Sequence, residues 1–146
     1  MPKVSVIIIS FNVRFYLRNA IDSILKSNYS NYEIIVVDNN SYDNTVDLIT
    51  DKYSRVNIIS NDENVGFGKA VNQGAKTASG DYFLILNPDT IIEEDMINDL
   101  IDYIESNKSI GMVGPKILNS DGSLQLSCKR SFPTIKNALP KIFGLD

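Results

Sequence analysis

The stretch Tyr82-Phe83-Leu84-Ile85-Leu86-Asn87-Pro88-Asp89 decides how the rest of the chain is read. Five apolar residues follow the turn formers Ser79-Gly80-Asp81 and stop at a proline set between two short acceptor side chains. Bounded that way, the run reads as a buried strand. Pro88 ends it, because proline cannot donate to a ladder, and Asn87 and Asp89 are left at the strand's carboxyl edge. In open α/β sheets ligands bind at that edge. One carboxylate and one carboxamide there can hold a divalent cation and a sugar hydroxyl. Asn-Pro and Pro-Asp dipeptides also form turns without any ligand, and the tripeptide alone favours that plainer reading. The segments before it shift the balance.

Val4 to Ser10 is a β-branched run of the kind found in central parallel strands. Arg14 to Ser27 sets Leu17, Ala20, Ile21, Ile24 and Leu25 at helical spacing. Glu33 to Val37 predicts a second strand ending at Asp38, and Asp43-Asn44-Thr45 opens a helix to about Tyr53. Val56 to Ser60 predicts a third strand. Gly66 to Ala78 predicts a helix with Ala70, Val71, Gly74 and Ala75 on one face, and Glu93 to Ser106 an amphipathic one. This alternation signals an α/β fold, a parallel sheet with helices on both faces. Past Gly111 the pattern changes. Met112-Val113-Gly114 predicts a short strand. Asn119-Ser120-Asp121-Gly122 predicts a turn joining Lys116-Ile117-Leu118 to Ser123-Leu124-Gln125-Leu126 as a hairpin.

Size and composition bound the possibilities. A chain of 146 residues, 43% hydrophobic and 22% charged, fits one soluble globular domain with a substantial core. No apolar stretch approaches the ~20 residues that span a bilayer, and the N-terminus carries no signal-peptide pattern, so a cytoplasmic protein is expected. Cys128 is the only cysteine, which excludes an internal disulfide. With no histidine, Ser-His-Asp and Cys-His catalysis and histidine metal sites are all excluded, so a metal must rest on oxygen ligands. A net charge of −4 argues against nucleic acid as a partner. Asp81 to Glu105 holds eight acidic residues and no basic one, whereas Pro115 to Asp146 holds five basic and two acidic. A solvated tail accounts for the second stretch better than phosphate or membrane contact does.

Three loops converge on the carboxyl edge: Ser10-Phe11-Asn12, Asp38-Asn39-Asn40-Ser41 and Asn87-Pro88-Asp89. Capping of the following helix explains Ser41 or Asp43, but not four successive polar residues from Asp38. A fourth element, Asn64-Val65-Gly66-Phe67-Gly68-Lys69, is neither a Walker loop nor a dinucleotide fingerprint. Its glycines serve either packing or the close approach of an anion to a helix N-terminus.

Together these segments closely resemble the N-terminal half of the inverting glycosyltransferases of family two. The resemblance runs from Val4 to about Thr134 and rests on four motifs in order. They are Ser5 to Asn12, Ile35 to Ser41, Asn64 to Gly68, and Leu86-Asn87-Pro88-Asp89-Thr90. Gly122-Ser123-Leu124-Gln125 and Arg130-Ser131-Phe132-Pro133-Thr134 look like rhamnosyltransferase-type members. The resemblance implies a GT-A fold, a three-layer α/β/α arrangement with a mostly parallel sheet of order 3-2-1-4 extended by later strands. It implies that Ser10, Asn12 and Asp38 hold the base of a nucleotide-sugar, with Asn40, Asn64, Gly66 and Asn87 as further donor-binding residues. A carboxylate at Asp38 favours the N3–H of uracil or thymine, hence a UDP- or dTDP-sugar. The family's Asp-x-Asp is Asn87-Pro88-Asp89 here, which leaves Asp89 as the one carboxylate ligand for Mg²⁺ or Mn²⁺.

An inverting transfer also needs a base to deprotonate the acceptor, a saccharide or lipid-linked hydroxyl. The family carries it downstream, in an acceptor-binding half, so no residue of this chain is assigned that role. The expectation is a single nucleotide-sugar-binding domain over 1–146, with a core over 1–114 and a hairpin and C-terminal segment over 115–146, truncated before the acceptor half. Ile135, Leu139, Ile142 and Phe143 form an apolar stripe expected to pack on that half, in preference to the cytoplasmic face of a membrane. Left uncovered, the stripe would mispack, fray or drive self-association, the last giving a homo-oligomer. Two rivals remain, a non-catalytic nucleotide-sugar-binding module and a nucleotidyltransferase. The second wants a glycine- and lysine-rich signature after the first strand, which Phe11-Asn12-Val13-Arg14 lacks. A flavodoxin-like signalling domain would explain the alternation but not the Asn-Pro-Asp turn.

Overall fold

The structure is a computed structural model and describes residues 1–128. Its elements alternate from the start: β1 (Val4–Ser10), α1 (Arg14–Ile24), β2 (Tyr32–Asp38), α2 (Thr45–Lys52), β3 (Val56–Ser60), α3 (Phe67–Thr77), β4 (Tyr82–Leu86) and α4 (Met96–Ser106). The four strands form one parallel sheet in the order β3-β2-β1-β4, as expected. β1 is buried along its whole length, which is why it is apolar on both faces apart from Ser5 and Ser10 and does not alternate. The chain steps outward from β1 to β3 and then returns to the other side of β1. The strand order therefore reverses between β1 and β4, and at such a switch point the loops leaving adjacent strands part to open a crevice.

The two faces are covered unequally. Val4, Val6, Ile8, Ile34 and Val36 pack with Leu17, Ile21 and Ile24 of α1, Ile49 of α2, and Ile97 and Ile101 of α4. On the opposite face Ile7, Ile9, Ile35 and Val37 meet Ala70 of α3. α3 approaches closely because Gly74 has no side chain: a β-carbon there would stand 2.7 Å from Ile7 Cγ2. Phe83 and Ile85 of β4 share this face by register with Ser5 and Ile7, yet remain about half exposed at 53% and 51%.

The last part departs from expectation. Met112-Val113-Gly114 forms no strand. Pro115, directly after it, has no N–H to donate to a ladder, and among the described residues no later strand extends the four-stranded sheet. The hairpin is reduced to a single antiparallel bridge between Leu118 and Leu124, and Leu126, expected to end its second strand, opens a 3₁₀ helix over Leu126–Cys128. α4 begins at Met96 and not at Glu93. Among the described residues no helix is long and apolar enough to cross a membrane. The stripe of Ile135, Leu139, Ile142 and Phe143 and the segment Arg130 to Thr134 lie outside the described residues.

Candidate functional site at the carboxyl edge

The loops after β1 and β2 are stitched together. Asn12 N–H donates to Ser41 Oγ at 2.9 Å, and Tyr42 N–H donates to Asn12 Oδ1 at 2.9 Å. Asp38 pins the same loop from below: Ser41 N–H and Oγ–H reach its two carboxylate oxygens at 2.8 and 2.6 Å. Asp38 itself is 1% exposed. Asp43 continues the stitching by accepting from Arg14 N–H at 2.9 Å, so a residue of the second loop caps α1, which has no cap of its own. Burial pushes the Asp43 carboxyl up, but hydrogen bonds from Thr45 and Arg14 outweigh it and hold the group below its usual range.

Three asparagines explain much of the polar character of these loops. Asn12, Asn40 and Asn44 all have positive φ, at 55°, 65° and 59°. Asparagine tolerates that left-handed conformation better than other residues with a side chain. Asn40 is exposed and makes the turn that brings Ser41 back onto Asp38.

Ser10 is fully buried, and its Oγ is the one buried side-chain polar atom without a partner among the described residues. Such an atom is costly unless something completes it. Across the switch point, Asn87 and Asp89 are exposed and line an open hollow with Pro88, Val13 and Tyr16. The turn is closed by Thr90 N–H on Asn87 C=O at 3.2 Å. Among the described residues no group of three or more acidic, cysteine or histidine side chains could hold a metal unaided. An exposed carboxylate beside an amide fits a hard cation that takes its other ligands from phosphate and water.

The fourth predicted element stands on the far side of Asp38. Gly66 precedes α3 with φ 83° and accepts no clash from a neighbour, while its N–H is held by Asn64 Oδ1 at 3.0 Å. What connects it to the other loops was not foreseen from sequence. Asn61, just past β3, donates through Nδ2 to Asn39 Oδ1 at 2.9 Å and to Gln73 Oε1 at 3.0 Å. Gln73 Nε2 returns a bond to Asn61 Oδ1 at 2.9 Å. Asn61 N–H also extends the ladder onto Asp38 C=O at 2.9 Å. The structure thus joins Ser10, Asn12, Asp38 and Asn40 closely, ties α3, the helix that Asn64 and Gly66 lead into, to Asn39 through Asn61 and Gln73, and sets Asn87 and Asp89 across the crevice.

A family model described as Glycosyl transferase family 2 matches residues 5–140, and the chain belongs to that family. It is 36% identical over 116 residues to an uncharacterized glycosyltransferase of Haemophilus influenzae, covering 77% of this chain and 36% of that protein. The chain thus spans little more than a third of that relative's length. Among solved structures it resembles S. aureus TarS 1-349 in complex with UDP-GlcNAc. There the TM-score is 0.68 at 23% identity, over 78% of this chain and 37% of the other. It also resembles the mannosyltransferase PcManGT of Pyrobaculum calidifontis in complex with GDP-Man and Mn2+. The TM-score is 0.70 at 20% identity, over 81% and 36% of the two chains. These likenesses establish the fold as the GT-A type of glycosyltransferases.

Proposed function

We propose that this chain is the donor-binding part of a glycosyltransferase that moves a sugar from a UDP- or dTDP-sugar to a saccharide or lipid-linked hydroxyl with inversion. Family membership supports the reaction class. The observation that carries the reading is the placement of an exposed Asp89 across the switch point from the stitched Ser10–Asn12 and Asp38–Ser41 loops. The base of the donor rests at Ser10, Asn12 and Asp38, where the orphaned Ser10 Oγ gains a partner once the loop admits a ligand. Asp38 keeps acceptor capacity, because each carboxylate oxygen has two lone pairs and Ser41 uses one on each. Asn40 shapes that loop, and Asn87 takes a ribose hydroxyl. Asn64, Gly66 and the first turn of α3 face the diphosphate.

Asp89 would hold a Mg²⁺ or Mn²⁺ ion, whose positive charge would offset the negative charge that develops on a departing diphosphate. The acceptor base is assigned to no residue of this chain, since Asp121 is engaged with Ser123 in the turn before Leu124. The rhamnosyltransferase-like features leave the choice of sugar to a donor screen.

Calorimetric titration of UDP and dTDP, with and without Mn²⁺, tests the reading. Wild type binds in a metal-dependent way, Asp89→Ala loses that binding, and Asn87→Ala weakens it while keeping the metal requirement. Equal affinity of wild type and Asp89→Ala in the presence of metal would overturn the assignment.

A further inference from the structure

The amide cluster of Asn39, Asn61 and Gln73 has no part in the chemistry proposed above. It nevertheless joins the end of β2, the loop after β3 and the middle of α3 through three side-chain bonds of 2.9 to 3.0 Å. α3 otherwise docks on the sheet through small residues. Ala70 and Gly74 are its buried positions, with Val71 and Ala75 beside them. A helix that meets a sheet along an alanine–glycine stripe has few interlocking side chains to stop it sliding or turning. Hydrogen bonds are directional and lose strength over a few tenths of an ångström. A reciprocal amide pair therefore supplies the register that the smooth stripe lacks.

We propose that Asn61 and Gln73 are positioning residues, whose paired amides, anchored on Asn39, set the Asn64–Gly66 loop and the first turn of α3 against the Asp38 loop. This rests on the donor-binding reading above. Asn61 is suited to the task because its backbone N–H is already fixed on Asp38 C=O, so the base-side loop and the helix are referred to one residue. Misplacing the helix start should then harm contacts to the diphosphate and spare contacts to the base.

The test uses residues 1–146, with UDP plus Mn²⁺ and uridine alone as probes. Gln73→Asn withdraws the amide by one methylene and breaks the pair. UDP affinity should fall about three- to tenfold, the worth of one or two neutral hydrogen bonds, while uridine affinity stays within about twofold. The double exchange Asn61→Gln with Gln73→Asn restores the combined length and should recover UDP binding. Three outcomes count against the proposal. Unchanged UDP affinity in Gln73→Asn overturns it. So does an equal loss for UDP and uridine that the double exchange fails to repair, since that marks general loss of fold support. Failure of wild type to bind UDP or dTDP at all would overturn the donor-binding reading and the proposal with it.

Discussion

The amide of Gly80 donates to Ser5 Oγ at 2.9 Å, which lays the loop that feeds β4 directly on the first strand. A β-carbon at Gly80 would stand 2.6 Å from Ser5 Oγ, 2.7 Å from Ser5 N and 2.8 Å from Lys3 O. Two of those three atoms are backbone and cannot swing aside. Gly80→Ala should therefore cost about 2–3 kcal/mol, at the upper end of overpacking. Urea unfolding checks it, and an unchanged midpoint would contradict the close approach.

The same corner holds Glu33, a charged residue near the start of β2, at the opposite end of the strand from Asp38. Its Oε1 accepts from Ser5 Oγ–H at 2.6 Å and from Ser79 N–H at 2.8 Å, and Lys3 stands 3.4 Å from Oε2. Burial pushes the carboxyl up, but the hydrogen bonds from Ser5, Ser79 and Lys3 prevail and hold it at about 2 against an ordinary 4.5. A carboxyl lowered on folding stabilises above its unfolded value, and that stability is lost as the pH falls from 4.5 through about 2. The difference is worth about 3 kcal/mol. Wild type should lose more stability than Glu33→Gln between pH 5 and pH 2.5, measured by urea unfolding at each pH. Parallel pH profiles for the two proteins would refute the assignment.

Gly66 and Gly68, two residues apart, should respond oppositely to alanine. Gly66 has φ 83° and ψ 160°, a conformation essentially reserved for glycine, so Gly66→Ala strains the helix entry by about 1–3 kcal/mol. Gly68 lies inside α3 with nothing near its missing side chain, so Gly68→Ala should stabilise by roughly 0.5–1 kcal/mol. Thermal melts of both variants decide. A stabilised Gly68→Ala that binds UDP more weakly would mean that a ligand approaches its backbone.

Much of this was legible in the sequence because it depends on local pattern. A strand buried along its length, such as Val4–Ser10, is apolar apart from Ser5 and Ser10, and Asn87-Pro88-Asp89 marks a strand end by backbone chemistry alone. Hydrogen bonds between distant residues were not legible. The Asn39–Asn61–Gln73 cluster forms because β2 and β3 are in a register that puts Ser60 beside Asp38. No spacing in the chain announces that pairing. Asn12 and Asn40 read in sequence as ligand-binding side chains and Asn44 as a helix cap, yet all three have positive φ and so also answer a conformational demand. Met112-Val113-Gly114 failed as a strand because its hydrophobicity says nothing about whether a neighbouring edge will receive it.

Asp38 carries two roles that a single substitution would confuse, so its test needs a control. Its carboxylate pins Ser41 through bonds of 2.8 and 2.6 Å, and in the proposed site it also accepts N3–H of uracil or thymine. Cytosine offers an acceptor at that position, so the wild type should prefer UDP and dTDP over CDP. Asp38→Asn presents either a donor or an acceptor and should erase the preference. A lost hydrogen bond to a charged group is worth ~1.5–3 kcal/mol, about ten- to a hundredfold in affinity. Ser41→Ala loosens the same loop by removing the hydroxyl at 2.6 Å but leaves the carboxylate charged. It should lower all affinities together and keep the ranking. Competition among nucleoside diphosphates on the three proteins separates the roles. A preference that survives in Asp38→Asn, or that vanishes in Ser41→Ala, would assign base selection to the loop's shape and not to the carboxylate.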